Sequence, residues 1–81
     1  KTRKTMIKTA EEFKIRAYTK VELACLYNPH MTIPGALRIL ARWIAGNSQL
    51  TAELSVLEYN HRNRIYTPRQ VKTIVDYLGE P

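Results

Sequence analysis

Apolar residues recur along this chain with two different periods. From residue 13, Phe-Lys-Ile-Arg-Ala-Tyr alternates apolar and polar, the period of a half-buried strand. After Tyr18 the spacing changes to threes and fours. Thr19 and Glu22 have the form of a capping box: the hydroxyl accepts from the amide three residues on, and the carboxylate accepts from the amide of the cap. Tyr18 just before the cap and Leu23 just after it fit a hydrophobic staple. This predicts a helix from Lys20 to Tyr27 that buries Leu23, Ala24, Leu26 and Tyr27 and is stopped by Asn28-Pro29.

Thr32 caps a second predicted helix, with Pro34 tolerated in its first turn, running to about Ala45 and ending at Gly46-Asn47. Ile33, Ala36, Leu37, Leu40, Trp43 and Ile44 fall on one side of it, the expected inner face. Gly35, Arg38, Arg42 and Gly46 fall on the other. Leu50, Leu54 and Leu57 predict a third, shorter helix over 48–57. Residues 59–66, with Asn60 and Asn63 among aromatic and aliphatic flanks, read as a hairpin or an extended loop. Thr67-Pro68-Arg69-Gln70 opens the last helix with Thr as cap, Pro at the first helical position and Gln closing the box. Val71, Ile74, Val75 and Leu78 form its buried face, and Gly79 ends it. Tyr-Thr-x-x-Glu/Gln-aliphatic thus occurs twice, at 18–23 and 66–71, which suggests two short strands, each feeding a capped helix, paired as a minimal sheet. The expected fold is mainly α: a compact winged-helix or helix-turn-helix-like domain of about four helices with a two-stranded β-ribbon.

The length of 81 residues limits this to one domain, with a core that buries only about 60–65% of the unfolded surface. Residues 1–12 show no hydrophobic period and read as a flexible basic tail, leaving 13–81 as the domain. Apolar content of 44% argues for a folded chain. The longest apolar run, residues 23–27, is far short of a membrane span, and no signal peptide is visible. A single cysteine, Cys25, permits no internal disulfide, which fits a reducing, cytoplasmic setting.

Net charge is +6, and its distribution adds more than its size. Lys1, Arg3, Lys4, Lys8, Lys14, Arg16 and Lys20 stand in the first quarter against Glu11 and Glu12, and two arginine pairs follow, Arg38/Arg42 and Arg62/Arg64. Such an excess favours polyanionic partners, nucleic acid above all. Catalysis is not expected: Cys25, His30 and His61 belong to no nucleophile or metal-ligand pattern, and no Gly-rich phosphate loop implies a cofactor. The candidate DNA-binding residues are Arg38 and Arg42 on the second helix with Gly35 between them and the cap, Arg62 and Arg64 as a wing tip, and Lys20. Arginine suits such contacts because its planar fork matches phosphate oxygens or the two acceptors of guanine. Two such base contacts supply about 2–6 kcal/mol of discrimination, the low end of what separates specific from non-specific binding, so a homodimer or protein partner enters the expectation. The alternative is a protein-interaction module on the same scaffold, its basic face docking an acidic partner without nucleic acid.

Two resemblances bear on this. Tyr-Thr-x-x-Glu-Leu-Ala at 18–24, the arginine-bearing second helix and Tyr-Thr-Pro-x-Gln-Val at 66–71 resemble the winged-helix domain of MerR-type regulators. Glu22–Tyr27, Arg42–Ile44, Tyr66–Val71 and Leu78–Pro81 are more closely similar to a family of short Bacteroidetes proteins catalogued only as a domain of unknown function. The first resemblance implies DNA binding; the second implies the fold and a bacterial origin.

Overall fold

Four caps set the element boundaries. A computed structural model describes residues 13–60 and 62–81; the tail expected over 1–12, and His61, lie outside the described residues. Each helix starts where a side-chain oxygen accepts from the amide three residues on: Thr19, Thr32, Asn47 and Thr67. These open α1 (Lys20–Tyr27), α2 (Ile33–Ala45), α3 (Ser48–Val56) and α4 (Pro68–Leu78). Both predicted capping boxes close in each direction, at Thr19/Glu22 and at Thr67/Gln70. Asn47 serves twice, ending the connection after α2 and capping α3 at 3.0 Å from the Leu50 amide. Gly79 ends α4 with φ at +86°, a conformation that only glycine adopts without strain.

The two echoed segments pair. β1 (Tyr18–Thr19) and β2 (Ile65–Tyr66) run antiparallel with Tyr18 opposite Tyr66 and Thr19 opposite Ile65, so a mainly helical domain carries a minimal two-stranded ribbon. The strand predicted from residue 13 is shorter than its alternation suggested. β2 offers only two residues before Thr67 begins α4, so residues 13–17 have no strand partner. The Tyr18 hydroxyl donates to the Lys14 carbonyl at 2.7 Å, folding that stretch back on itself. Of the stretch expected as a hairpin or extended loop over 59–66, the described residues 59, 60 and 62–64 form no strand, and Ile65 and Tyr66 pair with β1.

The core draws on every element: Tyr18, Leu23, Ala24, Ala36, Leu40, Ile44, Leu50, Leu54, Tyr66, Val71 and Ile74. Three residues expected inside are outside. Ile33 lies in the first turn of α2, beyond the reach of the other helices, and Leu26 on the outer side of α1; both are exposed. Trp43 is 42% exposed. From α2, Ala36, Leu40 and Ile44, one turn apart each, are buried in the small core and Leu37 packs against it; Trp43 sits at its margin, its ring perpendicular to that of Tyr27 with centroids 6.1 Å apart.

Candidate nucleic-acid interface

Helix α2 presents Arg38 and Arg42 one turn apart, both exposed. No acidic residue occurs in α2, and among the described residues the one ion pair is Lys72–Asp76 on α4. No described carboxylate therefore neutralises either guanidinium. Gly35 departs from this stripe: it is buried. The side chains of Met31 and of the cap Thr32 lie against it, and a Cβ at position 35 would stand 3.1 Å from Thr32 Oγ1 and 3.2 Å from Met31 Cε. Gly35 thus lets the connection pack closely, and the outward stripe starts at Arg38.

Lys20, Arg62 and Arg64, remote in sequence, come together beside the ribbon. The Lys20 amide donates to the Arg64 carbonyl at 2.8 Å, extending the pairing one step past β1. The loop is held by Asn60, whose Oδ1 accepts from the Arg62 amide and whose carbonyl accepts from the Asn63 amide. The Lys20 ammonium lies 4.7 Å from the Tyr59 ring and 5.8 Å from the Tyr66 ring, which stack on each other. Arg62 and Arg64 stay exposed, with no described carboxylate within ion-pair distance. An open groove of about 500 Å³ runs between this loop, the first turn of α1 and Leu37 of α2. Sequence reasoning missed Val21 and Leu37, which line it. The available signal was that Val21 lies off the Leu23/Ala24 face of α1 yet is aliphatic.

Tyr66, Tyr27 and Tyr77 are each harder to ionise than a free phenol. Burial pushes the Tyr66 phenol far above its usual range, with Tyr59 beside it adding to the effect. Burial, and then the Glu80 carboxylate, push Tyr27 up to about 12. The hydrogen bond from Tyr77 to the Glu53 carboxylate is the main cause that raises Tyr77. Cys25 is half-buried in α1, and His30 is exposed in the 28–32 connection. Among the described residues no cluster of three or more histidine, cysteine or acidic side chains is placed to hold a metal, and no helix is long and apolar enough to cross a membrane.

A family model matches residues 14–81, almost the whole described fold. The chain belongs to the family described as Domain of unknown function (DUF4248). No curated protein and no solved structure matches it. Within this DUF4248 domain the matched span takes in both capping boxes, the ribbon, the arginine stripe and the groove.

Proposed function

We propose that this DUF4248 domain binds DNA, as a small regulator or accessory factor, and acts by binding rather than by catalysis. The observation that carries this reading is the outer face of α2: two exposed arginines one turn apart, no acid on the helix, and no described carboxylate to neutralise them. Helix α1 packs on α2 across a short connection, and the loop bearing Arg62 and Arg64 lies alongside the start of α1. In such an arrangement α2 enters or borders the major groove while the loop and Lys20 meet backbone phosphates. The resemblance to MerR-type winged helices supports the same orientation, and Lys1, Arg3, Lys4 and Lys8 add sequence-independent attraction.

The test is a mobility-shift titration of duplex DNA at two salt concentrations. Binding should weaken steeply with salt. The double change Arg38→Ala/Arg42→Ala should weaken it while leaving the melting temperature nearly unchanged. If both contacts are to phosphate, the log–log salt slope should flatten by about 2; if both are to bases, sequence preference should be lost instead. Equal affinity of parent and double variant across salt would rule out α2 as the reading element. No DNA binding even at low salt would favour the protein-interaction alternative.

A further inference from the structure

The groove beside loop 62–64 differs in character from the arginine stripe. Two of its lining residues, Val21 and Leu37, are aliphatic and are taken as its floor; Arg62 and Arg64, with Lys20, are cationic and are taken as its rim, beside Thr19 and Asn63. Val21 is 40% exposed, although a valine at that position serves neither the cap nor the core. A phosphodiester backbone uses the rim but gives an aliphatic floor nothing to bury. A peptide uses both: one apolar side chain removes the floor from water, and carboxylates on either side form paired hydrogen bonds with the guanidiniums. The charge of the rim, unopposed by any described carboxylate, selects an acidic segment over a basic one.

We propose that this groove docks an acidic peptide segment of a partner protein, one leucine or phenylalanine side chain seated between Val21 and Leu37 and flanking carboxylates on Arg62 and Arg64. The segment would cover the cations that meet the DNA backbone in the reading above, so its binding releases DNA. That regulatory consequence rests on the DNA reading; the docking itself does not.

The probes are fluorescein-labelled synthetic peptides of glutamate around a central Leu-Phe pair, with two controls: glutamine replacing every glutamate, and alanine replacing the Leu-Phe pair. The acidic apolar peptide should bind, and each control should bind at least about tenfold more weakly, a difference of about 1.4 kcal/mol. Amide chemical shifts should move at Val21, Leu37 and residues 62–64. Val21→Ser, at an exposed position, and Arg62→Ala/Arg64→Ala should each weaken the peptide by a similar factor; Leu37→Ala adds a third variant if its melting curve is retained. Absence of binding by the acidic peptide, equal binding by the glutamine control, or shifts centred on Trp43 would each overturn the proposal. Arg38→Ala/Arg42→Ala separates the two readings, since it should lose DNA and keep the peptide. A protein that binds DNA but not the peptide refutes the groove alone, and one that binds the peptide but no DNA refutes the DNA reading alone.

Discussion

Helices α1 and α4 start from the same local code. Tyr18-Thr19 stands ahead of Glu22 in one, Tyr66-Thr67 ahead of Gln70 in the other, and the two tyrosines face each other across the ribbon. From there they diverge. In α4, Val71 and Ile74 point inward, while Lys72 and Asp76 pair one turn apart on the outside; its apolar and polar sides are cleanly divided. In α1 only Leu23 and Ala24 are buried, and Val21 and Leu26 are left 40% and 45% exposed. The closing residues of the boxes diverge likewise. Glu22 is exposed and caps only its own helix, whereas Gln70 is buried and its Nε2 also donates to the Leu57 carbonyl at the end of α3. A shared cap therefore fixes where a helix begins without fixing its role. Helix α4 ties α3 to the ribbon, and α1, packed on α2, keeps apolar surface available.

Exchanging the closing residues tests this division most severely. Gln70→Glu places a carboxylate against the Leu57 carbonyl in a buried site and removes the donor. It should cost roughly 3 kcal/mol or more, with part of the loss recovered as pH falls and the carboxyl takes up a proton; denaturant unfolding at two pH values measures this. An unchanged midpoint would mean that Gln70 does not tie α3 to α4.

Alkaline titration gives the next effect. Tyr27 closes α1, donating to the Gly79 carbonyl just past α4, and burial raises its folded pKa from 10.0 to about 12. Tyr66 is raised as well. Between these values the unfolded chain has released protons that the folded chain keeps, so the tyrosine contribution to stability is fully present below about pH 10 and is lost as pH rises from there through 12. Tyr27→Phe should flatten part of that fall, as followed by circular dichroism. Tyrosinate absorbance should show at least two of the five tyrosines ionising late.

The caps come third. Thr67→Ala should cost about 1–2 kcal/mol and Thr19→Ala about 0.5–1, because the Thr67 box is partly buried and the Thr19 box is exposed to water. Thermal melts would show the order, and a reversal would mean that α1 contributes more to the fold than its two buried residues suggest. Smallest of all, Leu26→Gln should change stability by no more than about 0.5 kcal/mol, since its side chain is already half in water.

What was legible in the sequence was local. Three of the four caps, Thr19, Thr32 and Thr67, and the Gly79 stop follow from residues within a few positions of one another, and the pairing of the ribbon from the echo between two such segments; Asn47 was legible as the stop of α2 and not as the cap of α3. Helical spacing also placed Leu40, Ile44, Leu50, Leu54, Val71 and Ile74 inside. Periodicity failed where a tertiary approach decided the outcome. Gly35 is covered by the side chains of Met31 and Thr32, and Trp43 stays at the margin, perpendicular to the Tyr27 ring. The alternation from residue 13 could not reveal how little backbone β2 would offer as a partner. Arg38, Arg42, Arg62, Arg64 and Lys20 were visible as charges, but their apolar companion, the Val21–Leu37 floor, exists only once α1, α2 and loop 62–64 have met.

The ribbon joins positions 18 and 66, which lie 48 residues apart. Closing a chain loop of that length costs about 3 kcal/mol of entropy beyond the fixed part, whereas each helix nucleates within its own turn. The helices should consequently form before the ribbon zips, on a folding limb slowed by such distant contacts, the hydrogen bond from Tyr27 to Gly79 among them. The same ordering governs opening: native-state hydrogen exchange should release the Lys20 amide, which is bonded to the Arg64 carbonyl, well before the Leu40 or Leu54 amides of the core. The wall of the groove should then open before the core does, so the docking surface is built late in folding and given up early in unfolding.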